Sequence, residues 1–283
     1  AIRSKLEAAG VAILPATGTG FKLLRYMKKL VEYHTEERTL ELAIPQPKGS
    51  EKIALSEYES KMELQRFGVR VPFSEVVSSE EQLDRVVKEV SYPCVAKIES
   101  ADILHKSDVG GVKLNLRSET ELRAAYAEVL KNAEEKAPEA KVNGVLIQPM
   151  LPKGVEVIVG VNIDPQFGPM ILCGLGGVFV EVFKDVALYP APLSKGEALE
   201  MIRSLKGFKM LSGYRGSAKC DIDALAELMV QIADYAVANK DTLCEMDLNP
   251  VFVYEEGKGV DMADAVIILS LIHISEPTRR TPI

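Results

Sequence analysis

Hydrophobic and polar positions from residue 53 onward change period segment by segment. Ser56-Glu57-Tyr58-Glu59 has capping-box spacing and predicts a helix to about Phe67, ended by Gly68. A second helix is predicted from Ser79 to Glu89. Tyr92 to Ile98 reads as a buried strand, followed by a polar, glycine-containing loop from Glu99 to Gly111. Val112 to Leu116 alternates cleanly, as a half-buried strand does. Ser118-Glu119-Thr120-Glu121 repeats the capping-box spacing and starts a helix to about Lys136, and Val145 to Gln148 is a further strand.

Beyond Pro149 the pattern becomes strand-rich. Glu156 to Ile163, Met170 to Leu175 and Val178 to Phe183 read as consecutive antiparallel strands. Helices are predicted near Lys195 to Leu205 and from Ile222 to Asn239. Leu243 to Leu248, Val251 to Tyr254 and a final strand ending near Ile268 close the domain. These elements predict two α+β lobes, about 53–148 and 149–268, joined near Gln148 to Lys153. A cleft between two lobes is a common ligand site.

Both ends depart from this pattern. Residues 1–43 give a short strand at Val11 to Leu14 and a helix from about Gly20 to Glu37, too few elements for a core of their own. They are expected to be the tail of a preceding domain, with 44–52 a proline- and glycine-rich linker. Residues 269–283 resemble the in-frame translation of a sequencing-library adapter, so the tail and its His273 are set aside.

Composition narrows the function. A net charge of −7 with no basic cluster argues against nucleic acid as partner. No apolar run is long enough to span a bilayer, no stretch of the sequence reads as a signal peptide, and the four cysteines form no CxxC pair. A cytoplasmic protein with reduced core thiols is expected.

Candidate chemistry lies in a few constellations. On a strand, Glu245, Asp247 and Asn249 share one face, with Cys244, Met246 and Leu248 opposite. With Asp261 and Asp264 nearby, these oxygens suit a hard cation such as magnesium, or form a solvated strand face. His105 stands in a polar loop before Gly110-Gly111, a pair that lets backbone N–H groups approach phosphates or simply makes a hairpin turn. Imidazole is a good nucleophile towards phosphorus, though a loop histidine can equally be a solvated one. Lys97 at the end of an apolar strand is either a phosphate ligand or a snorkelling side chain. Gln148 to Glu156 spans the predicted hinge, and Arg215 sits in the glycine-rich turn Gly213 to Gly216.

Taken in order, LSEYESKMELQRFGVRVP, YPCVAKIES, HKSDVGGVKLNL, GVLIQPMLPKGVEVIVGVNIDPQFGPMILCGLGGVFVEVF, GYRG and EMDLNPV resemble the ATP-grasp region of the NDP-forming (ADP-forming) acyl-CoA synthetases. The resemblance covers nearly all of 53–268, and the N-terminal AAGVAILPATGTGFKLLRYMKKLVEY resembles the end of the CoA-ligase-like region of fused members. It implies a two-lobed α/β ATP-grasp fold and the reaction acyl-CoA + ADP + phosphate ⇌ carboxylate + CoA + ATP. It further implies His105 as a phosphohistidine relaying phosphate to ADP. Lys97, Gly110, Gly111, Gln148 and Glu156 would bind nucleotide, and Asn249 and Asp264 would ligate Mg2+, with Asp261 a rival; Arg215 would hold a phosphate of the nucleotide or pair with an acidic neighbour. The partner would be the CoA-binding and acyl-handling domains or subunit. The competing implications are a non-catalytic ligand-sensing module of a protein acetyltransferase and a carboxylate–amine ligase.

Overall fold

A computed structural model describes residues 52–103, 105–177, 185–214 and 216–270. The expected elements at 11–14, 20–37 and 178–183, Arg215 and the tail from 271 onward lie outside the described residues.

The described residues form two sheets, each with its own helices and its own core. The smaller sheet comprises β2 (Glu75–Val77), β3 (Cys94–Glu99), β4 (Val112–Leu116) and β5 (Gly144–Pro149), antiparallel in the order β2-β5-β3-β4. Helices α2 (Glu80–Glu89) and α3 (Glu119–Lys136) supply Leu83, Val86, Leu122 and Val129 to its core. Ser79 and Ser118 cap them by accepting from Gln82 N and Glu121 N. Strand β3 is buried on both faces, and its alternation sorts the side chains. Cys94, Ala96 and Ile98 enter the core, whereas Val95, Lys97 and Glu99 take the opposite face.

The larger sheet runs β1-β11-β9-β6-β7-β8, with β10 also on β9. Its strands are β1 (Lys52–Ala54), β6 (Val155–Asp164), β7 (Gly168–Leu175), β8 (Val186–Pro190), β9 (Leu243–Val253), β10 (Val260–Met262) and β11 (Ala265–Ser270). Helices α4 (Lys195–Ser204) and α5 (Ile222–Ala238) pack Met201, Ile202, Leu225, Met229 and Ile232 against Val159, Ile171, Leu248 and Val251. Among the described residues no helix is long and apolar enough to cross a membrane.

Four expectations are corrected. Helix α1 (Glu57–Arg66) does not belong with the smaller lobe, although 53–148 was expected to form it. Its Leu64, and Val69 after it, join the core of the larger sheet, and Ser60 Oγ accepts from Ile267 N of β11 at 3.1 Å. The terminal strand does not stop at Ile268. Leu269 and Ser270 stay in β11 because β1 pairs there, Ile53 with Leu269 and Lys52 with Ser270. That pairing also places Lys52 in a strand, not in a linker. Finally, the two strands expected at 243–248 and 251–254 are one strand with a register shift against β6 between Val157 and Val159. The irregularity lets Met246, Leu248, Val251 and Val253 all reach the core although their spacing breaks strict alternation.

Candidate active site

Helix α1 opens on a complete capping box: Ser56 Oγ accepts from Glu59 N and Glu59 Oε2 accepts from Ser56 N. Its buried residues are Glu57, Ser60, Lys61 and Leu64, one face at helical spacing, and two of the four are charged. Glu57 is 1% exposed. Its Oε1 accepts from Lys61 Nζ and from Lys97 Nζ, each at 2.7 Å, and its Oε2 accepts from Lys106 Nζ at 2.9 Å. Lys61 also donates to Gln148 Oε1 at 2.9 Å and to the Ala263 carbonyl at 2.9 Å, and Lys97 donates to that carbonyl at 2.8 Å. Lys106 Nζ lies 3.4 Å from Asp264 Oδ2. One carboxylate thus gathers lysines from α1, β3 and the β3–β4 loop and joins the smaller sheet to the β10–β11 turn of the larger.

Burial alone would raise the Glu57 carboxyl, but Lys97, Lys61 and Lys106 outweigh it and hold the group well below the usual carboxylate range. Burial lowers Lys61 in spite of Glu57. Burial also opposes charge on Lys106, yet Glu57 and Asp264 overcome it and raise that ammonium. Asp264 is raised by burial and by Glu57. Three lysines meet Glu57 and Asp264 here, and the buried Glu99 carboxyl also acts on Lys106.

Beside it lies a cleft of about 320 Å³ lined by His105, Glu245, Asp247, Asn249, Asp264 and neighbouring β11 residues. The strand face that periodicity assigned to Glu245, Asp247 and Asn249 lines this cleft. Asp247 is raised by burial and by the nearby Glu245 and Asp264 carboxylates. Asn249 N donates to Asp264 O at 3.3 Å, which ties the two residues together across β9 and the β10–β11 turn. His105 is exposed, on the tip of the β3–β4 loop. Asp261 is not in this cleft: it pairs with Arg70 at 3.6 Å. Among the described residues no three His, Cys, Asp or Glu side chains converge as a metal nest. An amide oxygen and a carboxylate nonetheless fit magnesium, which takes few protein oxygens and fills its shell with water and phosphate.

The remaining sequence candidates are distributed around this centre. Gln148 is buried on the face of β5 opposite the smaller core and engaged by Lys61. Glu156 lies apart from the lysine cluster, in a recess of about 270 Å³ with Gly154, Val155, Leu175, Gly176 and Met210. The Gly110 and Gly111 amides are taken within their own loop, by Ser107 O at 3.0 Å and Lys106 O at 2.7 Å. Gly111 is needed for close packing, since a Cβ there would stand 2.6 Å from Ile98 Cγ2. Glu57, Lys61 and Lys106 escaped the sequence reading. Their signal was a charged pair, Glu57 and Lys61, four residues apart on the face of α1 that also holds Leu64.

The family model for the ATP-grasp domain matches residues 48–269. Acetate–CoA ligase (ADP-forming) II subunit beta of Pyrococcus furiosus is 42% identical over 216 residues, covering 76% of this chain and 92% of that one. Acetate–CoA ligase (ADP-forming) I of Archaeoglobus fulgidus is 44% identical over 197 residues, covering 70% of this chain and 28% of that one. Two solved structures of dinucleotide forming acetyl-coenzyme A synthetase 1 from Ca. Korarchaeum cryptofilum are similar at 42% identity. One holds coenzyme A and acetyl-coenzyme A, with its phosphorylated phosphohistidine segment in the site I orientation; it has a TM-score of 0.70 and covers 77% of this chain and 93% of that one. The other holds coenzyme A and Mg-AMPPCP, with the segment pointing towards the nucleotide binding site; its TM-score is 0.66, over 76% of this chain and 92% of that one.

Proposed function

The chain belongs to the ATP-grasp domain family, and from that premise we propose that it is the nucleotide-handling component of an ADP-forming acyl-CoA synthetase. In the ATP-forming direction it transfers a phosphoryl group from His105 to ADP. The observation that carries this reading is the meeting of His105, Asn249 and Asp264 in one cleft beside the lysine cluster.

The cleft is bipolar. The buried lysine cluster adjoins it through Asp264 and suits the phosphates of a nucleotide, and the cleft's Glu245–Asp247–Asn249 side suits the cation that accompanies them. Lys97 holds the phosphates as a point charge, and base and ribose recognition is assigned to Gln148 and, from its separate recess, Glu156. Asn249 and Asp264 hold magnesium, which when bound neutralises charge on the phosphates. His105, exposed at the loop tip, presents its imidazole to the cleft. The P–N bond of phosphohistidine breaks as a P–O bond forms to the terminal oxygen of ADP, and the imidazole nitrogen keeps the electron pair. His105 receives its phosphoryl elsewhere, so the segment alternates between two positions, as the phosphohistidine segment of the Korarchaeum synthetase is described in two. CoA and acyl chemistry fall to a partner subunit or domain. The chain accounts for 28% of the longer Archaeoglobus relative.

Incubation with γ-labelled ATP and magnesium tests the reading. An acid-labile, base-stable label is expected on the chain, absent from His105→Ala and removed by ADP. No label in a chain that binds ATP, even with the CoA-handling partner supplied, would overturn it.

A further inference from the structure

Lys106 follows His105 in sequence and faces the other way. The histidine is exposed, whereas the lysine is 6% exposed with its ammonium against Glu57 and Asp264. The loop tip around them is closed on itself. Asp108 N donates to His105 O at 3.1 Å, Gly110 N to Ser107 O and Gly111 N to Lys106 O. These bonds shape the turn without fastening it to anything else. The outward ties of the loop's distal end are at its base, where Ile98 N donates to Gly111 O at 2.7 Å and Asn132 Nδ2 donates to Gly110 O at 2.9 Å. Among the described residues, the hydrogen bonds and ion pairs from residues 105–109 to other elements are those of Lys106.

Resting on the reading that His105 carries the phosphoryl group, we propose that Lys106 is a positioning residue: a latch that holds the His105 segment at the nucleotide cleft by pairing with Glu57 and Asp264, and that must release for His105 to leave.

The charge arrangement makes such a latch reversible. Breaking a buried ion pair is costly when it strands a charge in the interior. Here the departing lysine regains water at the surface, Glu57 keeps Lys61 and Lys97 at 2.7 Å, and Asp264 keeps Lys97 at 4.0 Å, so neither carboxylate is stranded. Release also changes the cluster. With Lys106 in place three ammonium groups face Glu57 and Asp264; without it two remain, so release takes one positive charge out of the cluster. Phosphates in the cleft therefore favour the latched state, and latching favours phosphates by the same factor. Segment position and nucleotide occupancy are coupled through one side chain that touches neither the imidazole nor the reacting atoms.

The test is hydrogen–deuterium exchange on the 283-residue chain, for wild type, Lys106→Met, Lys106→Gln and Lys106→Arg, each with and without ADP. Amides of residues 105–111 are expected to exchange at least tenfold faster in the Met and Gln variants. Exchange in β6 and β9 should not change, which reports that the chain remains folded. Arginine should restore most of the protection, and ADP should slow tip exchange in wild type but not in the Met variant. Labelling of His105 by ATP should fall at least tenfold in the Met variant at saturating ATP. Tip exchange in the Met and Gln variants equal to wild type would overturn the latch, whatever the labelling does. A faster tip in those variants, in a chain whose His105 never takes label, would keep the latch and overturn the phosphohistidine reading.

Discussion

Glu57 decides the character of the site at the level of single residues. A carboxylate that is 1% exposed survives in the interior because three ammonium groups surround it. Replacing it by glutamine keeps the shape and removes the charge that holds them, leaving buried cations opposed to one another. Breaking a buried pair from one side costs about 3–5 kcal/mol, and that is the loss expected for Glu57→Gln at neutral pH. The group's folded value lies well below its ordinary value of 4.5. Its contribution is therefore complete above that ordinary value and is lost as pH falls from it towards the folded value. Thermal denaturation of wild type and Glu57→Gln should show a gap in Tm that is widest above about pH 5 and narrows steadily below it. A gap constant down to strongly acidic pH would mean Glu57 is not held ionised. Lys97 stood out in the sequence as a lone lysine in an apolar strand, though its pairing with Glu57 did not, and Asn249 stood out because strand alternation put it beside Glu245 and Asp247. Glu57 and Lys61 were not, because charged residues on a helix normally mark its solvated side and nothing local says otherwise. Lys106 was hidden by its neighbour: one loop residue looks outward and the next inward, and a loop has no period to reveal it.

Between elements, close approach sets the tolerances. The β3–β4 loop returns to β3 through Gly111, whose O accepts from Ile98 N. A Cβ at 111 would meet Ile98 Cγ2 at 2.6 Å and Lys106 O at 3.0 Å, and Ile98 is fully buried in the smaller core. Overpacking of this kind costs about 1–3 kcal/mol. Gly111→Ala should lower urea stability by that amount and, by pushing on Lys106 O, disturb the loop tip as well. Unchanged stability would show that the loop shifts freely away from β3. The sequence placed most helices and strands because capping serines, glycine stops and two-residue alternation are local signals. It misassigned α1 to the smaller lobe for a matching reason: periodicity tells which face of a helix is buried, not which sheet buries it. The break in β9 was misread because the step from Leu248 to Val251 violates alternation in sequence, while in the structure a register shift against β6 absorbs it.

Across the whole molecule, the two cores share little at the cleft except charge. Lys97 and Gln148 come from the smaller sheet, Ala263 and Asp264 from the larger, and Glu57 with Lys61 joins them. The bridge gathers ammonium groups on its lysine side and carboxylates along β9, so a metal-bound nucleotide would match both sides at once while either component alone would match one. ADP affinity is accordingly expected to be at least tenfold tighter with magnesium than with a chelator, a difference of about 1.4 kcal/mol or more by calorimetry. Asp264→Asn removes a carboxylate from the cation side and from Lys106 together. The magnesium-dependent gain should collapse towards unity in that variant, with affinity in chelator equal to or better than wild type because the lysine cluster has lost an anion. At a hundredfold excess over Kd the bound nucleotide stabilises the folded chain by about 2.7 kcal/mol. With the nucleotide bound as proposed, between the lysine cluster and β9, the rise in Tm should carry both cores in one transition. An Asp264→Asn chain that keeps the full magnesium gain would move the cation away from Asn249 and Asp264, and with it the geometry in which His105 meets ADP.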